Sequence, residues 1–256
     1  DDVAASVSAG LMTRHTVQFH WNNSDKGYAS FDDFLASLSQ DKRKKIRQER
    51  RKVADAGVTF RRLSGADISQ PDWDFFYRCY ERTYLQHGNA PYLSRDFFQR
   101  MADTMPDNWL LFVAERNGQP IATSLIAINA HSTWASGTKS LKVPAEGDIP
   151  DTSGAQGAVA YGRYWGALER VDCLHFEACY YQPLQWCIEH GYQRFEGGAQ
   201  GEHKMARALM PVRTTSTHWL AHPSFADAVG NFLAREGQGI DSYMDELTQR
   251  TPFRQP

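Results

Sequence analysis

The dipeptide Asn117-Gly118 sits between two runs of apolar and β-branched residues, Leu110 to Arg116 and Pro120 to Asn129. Asn-Gly readily supplies the positive φ angles of a two-residue hairpin turn, so an antiparallel hairpin is expected here. The flanking segments then fall into order around it. Val58 to Leu63 reads as a strand, and Ser69, Pro71 and Asp72 supply the cap, first-turn proline and acid of a helix from about Pro71 to His87, closed by Gly88. A second helix starts at Ser94. Beyond the hairpin, Val159 to Trp165 is a strand and His175 to His190 is helical, with Gly191 as its stop and Pro183 either kinking it or opening a second piece. Tyr192 to Glu196 is a further strand, ending in Gly197-Gly198. This order predicts an α/β protein with a mixed sheet, helices on its faces and ligands near strand ends.

The remaining segments attach to that frame. Val17 to Trp21 reads as a strand broken at Asn22-Asn23-Ser24, and a short amphipathic helix follows. Ser30 and Asp33 form a capping-box spacing for it, and Phe31, Phe34, Leu35 and Leu38 its apolar face. From Asp41 to Ala56, before Gly57, runs a strongly basic helix in which Ile46, Val53 and the alanines are available for packing. Arg213 to Ala221 is read as a last strand. Apolar residues from Phe225 to Leu247 recur at helical spacing, in a helix expected to pack across the body although Gly230, Gly237 and Gly239 weaken it. His131 to Gly157 has no period and is read as a long excursion, a lid or plain disorder. The expected organisation is an N-terminal arm over 1–57 and one α/β domain over 58–256.

Composition excludes several classes. With 256 residues, 41% of them hydrophobic, the chain can bury a real core. Lys+Arg 28 against Asp+Glu 30 leaves a net charge of −2, so bulk charge gives no reason for nucleic-acid or membrane affinity. The apolar runs fall short of the roughly 20 residues that span a bilayer, and no signal-peptide pattern opens the chain. None of the cysteines (Cys79, Cys173, Cys179, Cys187) forms a C-x-x-C pair, so reduced thiols and a cytoplasmic location are expected, with no metal site. The chain begins at Asp1 rather than Met, which points to processing or excision of a natural start.

The segments Tyr161-Gly162-Arg163-Tyr164-Trp165-Gly166, Leu174-His175-Phe176-Glu177-Ala178-Cys179-Tyr180-Tyr181-Gln182 and Phe195-Glu196-Gly197-Gly198-Ala199-Gln200-Gly201-Glu202-His203-Lys204 carry a resemblance. Together with Phe19-His20-Trp21, the basic helix and Phe225 onward, they resemble a GNAT-like, Fem-related bacterial family of N-acyltransferases and peptidoglycan biosynthesis/recognition proteins, almost end to end. Tyr181-x-x-Leu184-x-Trp186-x-Ile188, Gly191 and Phe195-Glu196-x-Gly198 are further similar to the Fem aminoacyl-transferases, which move amino acids from aminoacyl-tRNA to cell-wall precursors. The resemblance implies a GNAT-like acyl-CoA N-acyltransferase fold with helices on both faces, whose substrates meet where the fourth and fifth strands splay apart. It implies acyl-CoA or aminoacyl-tRNA as co-substrate, no tightly bound cofactor, and a small amine or cell-wall-type precursor as acceptor. Family members usually carry an additional N-terminal half. Enzymes of the fold that use acetyl-CoA hold its pyrophosphate on a glycine-rich loop after the fourth strand, whereas here Ala167 to Leu174 contains no glycine, which puts CoA use in question.

Acyl transfer to an amine needs a base, donors for the tetrahedral oxyanion and groups to hold the carrier. Glu177 precedes Tyr181, Leu184 and Ile188 on one helical face, where apolar surroundings would raise its pKa and suit a base; it equally suits a helix N-terminus. Glu202 and His203 follow a glycine-rich turn and would be presented beside Glu196, His203 titrating near neutrality. Lys204 and Arg207 are candidate holders of a carboxylate or phosphate, or surface salt bridges. Tyr161, Arg163 and Trp165 alternate onto one strand face, where the guanidinium would lie between two aromatic rings and clamp an anion, unless the rings form a packing ladder. His175, Tyr181 and Gln200 join the candidates through the family segments. On the basic helix Arg43, Arg47 and Arg50 form a stripe adjoined by Lys44 and Arg51, fit for a tRNA acceptor end, a lipid-linked precursor or CoA phosphates, or else simply solvated. The competing class is a non-catalytic peptidoglycan- or RNA-binding module of the same fold.

Overall fold

The computed structural model describes residues 2–129, 157–199 and 201–254. In chain order it contains α1 (Asp2–Ser8), β1 (Met12–Asn22), α2 (Phe31–Ser37), α3 (Gln40–Asp55), β2 (Val58–Ser64), α4 (Gln70–Gln86), α5 (Arg95–Thr104), β3 (Trp109–Arg116), β4 (Gln119–Ile128) and β5 (Val159–Ala167). Then come α6 (Leu174–Phe176), a π turn (Glu177–Tyr181), α7 (Gln182–Glu189), β6 (Arg194–Glu196), a 3-10 helix (Glu202–Arg207), β7 (Met210–His218) and α8 (Pro223–Thr248). The chain divides into two compact units, one of residues 22–34 and 45–195, the other of 1–21, 35–44 and 196–256.

The larger unit is a layered α/β structure. Strands β2, β3, β4 and β5 lie side by side in that order, each antiparallel to the next. The expected hairpin joins β3 and β4, with Asn117 and Gly118 at φ 54° and 72° as its turn requires. Trp109, Leu111 and Val113 of β3 pack with Leu125 against Trp73, Phe76 and Tyr80 of α4 and Phe98 of α5. Ala114, Ile121 and Ala122 pack instead with Val53 of α3 and Leu174 of α6. Helices therefore cover both faces, and β3 is apolar on each side because each side is buried.

Local chemistry explains the element ends. At α4 the expected cap Ser69 is joined by Asp72 in a reciprocal capping box: the Asp72 N–H donates to Ser69 Oγ and the Ser69 N–H to Asp72 Oδ2. At α2 Asp33 N–H donates to Ser30 Oγ, but the return bond reaches the N–H of Ala29. The expected helix from His175 to His190 is interrupted: Pro183 sits in the first turn of α7, and the residues before it form the π turn. A proline ring crowds the carbonyl four residues earlier, and a widened turn relieves that clash. Gly166 of β5 lies so close to α4 that a Cβ built on it would stand 2.0 Å from the Cys79 carbonyl oxygen.

In the other unit β1 pairs antiparallel with β7, from Met12 opposite His218 to His20 opposite Met210. The chain after β6 runs beside β1, with Gly197 N–H donating to the Phe19 carbonyl and Phe19 N–H to that of Gly198. Helix α8 joins this pair through Arg14–Glu236 and Arg213–Asp241. The expected apolar face is packed in part: Leu247 is buried and Val229, Leu233, Ile240, Tyr243 and Met244 are half-buried, while Phe225 and Phe232 are 59% and 53% exposed. Helix α1 was not foreseen from the sequence. The excursion, His131 to Gly157, lies outside the described residues except for Gly157.

Candidate active site

Strand β6 neighbours β5 at one end. Gln193 and Arg194 N–H both donate to the carbonyl of Ala158, at 2.9 and 3.2 Å, and the nine-residue β5 runs on past the three-residue β6. Strand β5 also carries a bulge: Leu125 faces Tyr164 and Ile126 faces Gly162, which leaves Arg163 as the extra residue. This corrects the expected clamp. The bulge shifts the alternation, so Tyr161 opposite Ala127 lies on the α4 side of the sheet and Trp165 opposite Ser124 on the α6 side. Arg163 is exposed with its guanidinium 5.0 Å from the Tyr161 ring, and Trp165 instead meets the ring of His175 edge-on at 5.5 Å.

The loop after β5 folds inward. Val171 and Cys173 pack against the cluster containing Val53, Ala114 and Leu174, and Cys173 takes a left-handed conformation, φ 65°, ahead of α6. The N–H groups of Leu174 and Glu177 are already bonded to the carbonyls of Val171 and Cys173. A glycine-rich loop would instead open its N–H groups to a phosphate.

Glu177, in the π turn, is 4% exposed, but its surroundings are polar rather than apolar. Arg50 of α3 reaches both carboxylate oxygens through Nε at 3.2 Å, and Gln182 Nε2 donates to Oε1 at 2.7 Å. These contacts continue as a closed ring of side chains. Arg50 Nη2 donates to Gln185, Gln185 to Glu189, and Arg62 of β2 donates both to Glu189 and to Gln182. Beside the ring the hydroxyl of Tyr181 donates to the buried carboxylate of Glu49. A cavity of about 750 Å³ opens against it, lined among others by Arg50, Arg51, Arg62, Phe60, Glu177 and Gln182. The basic stripe is thus largely engaged: besides Arg50, Arg47 pairs with Asp32 and Arg43 donates to the Ala36 carbonyl, while Lys44 is exposed.

In the other unit the turn after Gly201 is the 3-10 helix. His203 is exposed, its ring lying over Gly201, and its pKa is lowered from 6.5, first by desolvation and then by the charges of Arg207 and Lys204. Lys204 and Arg207 are buried, which overturns the surface-salt-bridge alternative. Lys204 Nζ donates to the carbonyls of Gly197 and Gly198 at 2.5 and 3.3 Å, and Arg207 Nη1 to that of His203 at 2.9 Å. Glu202 accepts from Tyr243 and Arg250, and Glu196 lies 4.0 Å from His20 Nε2. Gln200 lies outside the described residues. Among the described residues no three His, Cys, Asp or Glu side chains gather as a cation site, and no helix is long and apolar enough to cross a membrane.

Sequence reasoning missed His20, Glu49, Arg62, Gln182 and Gln185. A polar stripe, Gln182, Gln185 and Glu189 at helical spacing on an otherwise apolar α7, was the available signal.

These elements define a mixed α/β protein with a seven-stranded sheet and a long fifth strand beside a short sixth one. A model of the FemAB-like family, described as peptidoglycan biosynthesis/recognition, matches residues 1–136 and 154–255, and the chain belongs to that family. No curated protein matches it. Among solved structures, a C-terminal domain assigned to a lysylphosphatidylglycerol synthetase of Agrobacterium fabrum is similar over 80% of this chain and 54% of its own, at 13% identity and TM-score 0.46. The synthetase L-PGS of Bacillus licheniformis is similar over 76% and 48%, at 12% identity and TM-score 0.46. An aminoglycoside acetyltransferase from an uncultured soil metagenomic sample, solved with sisomicin, is similar over 66% and 95%, at 14% identity and TM-score 0.37. The chain spans about half the length of the first two.

Proposed function

We propose that the chain is an N-acyltransferase that moves an acyl or aminoacyl group from a thioester or ester carrier to an amine of a cell-wall-type precursor. The observation that supports this reading best is the mismatch between sheet neighbours: the nine-residue β5 outruns the three-residue β6, and its bulge presents the exposed Arg163. In the reaction the amine nitrogen attacks the carrier's carbonyl carbon, the tetrahedral oxyanion collapses, the carrier leaves as thiol or alcohol, and a base takes the proton that the nitrogen sheds. Of the two candidate bases His203 is favoured to accept that proton, because its ring is exposed while the carboxylate of Glu177 is enclosed by its partners. Glu177 would have to abandon Arg50 and Gln182 to do so, and serves better to hold the π turn in place.

The test is mass-spectrometric detection of amide formation on a muropeptide amine, with acetyl-CoA, longer acyl-CoAs and aminoacyl-tRNA each offered as donor. His203→Gln should lower the rate by roughly 10²–10⁴-fold, the usual worth of a general base. Full activity in the combined Glu177→Gln, His203→Gln variant would refute both assignments. A second reading, a non-catalytic peptidoglycan- or RNA-binding module, is favoured by the inward-packed loop after β5. Calorimetry separates the two, since a module should bind muropeptides or RNA and ignore every acyl carrier.

A further inference from the structure

The cations of α3 do not all find a use in the ring beside Glu177. Arg51 is exposed and, among the described residues, makes no ion pair or hydrogen bond, yet it lines the same cavity as Arg62 and Arg50. Glu177 is held by Arg50 and Glu189 by Arg62, and Asp55, one turn further along α3, forms no ion pair with Arg51, so the guanidinium N–H groups of Arg51 stay available at the cavity wall. Arg62 spends Nε and Nη2 on Gln182 and one direction of Nη1 on Glu189, and a guanidinium carries five N–H donors, so it retains some to give. Besides Glu177 and Gln182, the remaining lining is Val53, Ala54, Val58, Thr59 and Phe60, apolar but for the Thr59 hydroxyl. A cavity of about 750 Å³ falls within the size range of small-molecule sites. A phosphoryl group carries more charge and more acceptor oxygens than a carboxylate, so it gains more from two guanidinium groups arriving from different directions.

We propose that the cavity between α3 and β2 binds a phosphate monoester, its phosphoryl oxygens held by Arg51 and the unspent N–H groups of Arg62, its carbon skeleton resting on Val53, Val58 and Phe60. The site uses neither β5, β6 nor His203, although Glu177 lies in its lining.

Isothermal titration of the full chain with glucose 1-phosphate tests it, with inorganic phosphate and acetate as parallel arms. Saturable binding of the ester is expected, weaker for inorganic phosphate, absent for acetate, and declining as NaCl is raised. Arg51→Ala should weaken the ester by roughly tenfold or more, Arg51→Lys by less because the point charge remains, and Arg43→Ala should leave it unchanged. Circular dichroism of the variants confirms that each is folded. No saturable binding of the ester, equal affinity in Arg51→Ala, or acetate binding as well as the ester would overturn the proposal. Inorganic phosphate binding as tightly as the ester would overturn the part assigned to Phe60 and its apolar neighbours.

Discussion

The carboxylate of Glu177 is almost fully enclosed and its charge is balanced from inside the protein, so its two partners are not equivalent to lose. Arg50→Ala would strand a buried carboxylate on Gln182 alone and should cost about 3 kcal/mol in urea unfolding. Arg50→Ala combined with Glu177→Gln should recover more than half of that, because no charge remains to be solvated; strict additivity of the two changes would contradict the pairing. His203 gives a pH-dependent expectation. Its folded pKa lies below the ordinary 6.5, so the folded chain holds that proton less tightly than the unfolded chain does. The stability it contributes is complete above about pH 6.5 and falls as the pH drops from there toward the depressed value. In His203→Gln the urea midpoint should be flatter across that interval, and an unaltered slope would count against the shift. The burial of Glu177 was legible from its place on the helix face, but its cation was not, since Arg50 lies 127 residues away in the chain. Lys204 failed to read as buried for a similar reason: what draws it inward is a pair of backbone carbonyls, to which a sequence gives no clue.

At the level of elements, Gly166 is a point where α4 and β5 touch backbone to backbone. The hydroxyl of Thr83 reinforces the contact by bonding the Trp165 carbonyl at 3.0 Å. Gly166→Ala drives a methyl into the Cys79 carbonyl and should lower stability by about 3 kcal/mol or more, read as a fall in the thermal midpoint; a neutral outcome would mean that α4 moves aside freely. The hairpin, the Ser69 cap of α4 and the proline-marked break before α7 were all legible because each is decided by residues a few positions apart. The bulge at Arg163 was not: it is a relation between two strands, visible once Leu125 and Ile126 are set against Tyr164 and Gly162. A strict alternation of Tyr161, Arg163 and Trp165 is what an unbulged strand would give, and the error about the clamp follows from that one inserted residue.

Over the whole chain the apolar burial is uneven. Strand β3 is buried from Trp109 to Ala114, between two helical layers, whereas α8 buries one residue in its 26. Hydrogen exchange should therefore be slowest through β3 and β4 and fast along most of α8, and strong protection across Pro223–Thr248 would show that its exposed apolar residues are covered in solution. That contrast explains what composition could and could not reveal: periodicity correctly marked α8 as a helix, but a stripe of Phe, Val and Leu does not say whether anything lies against it. The π turn has a consequence of another kind. It holds one residue more than an α-helical turn, and each helical residue rotates the chain by about 100°. Because the widened turn absorbs its extra residue within a single revolution, a homologue shortened by one residue between Glu177 and Tyr181 would close it into an α-helical turn and keep Gln182, Gln185 and Glu189 aimed at Arg50 and Arg62; where relatives are aligned, a one-residue gap at this point leaves the helix face intact.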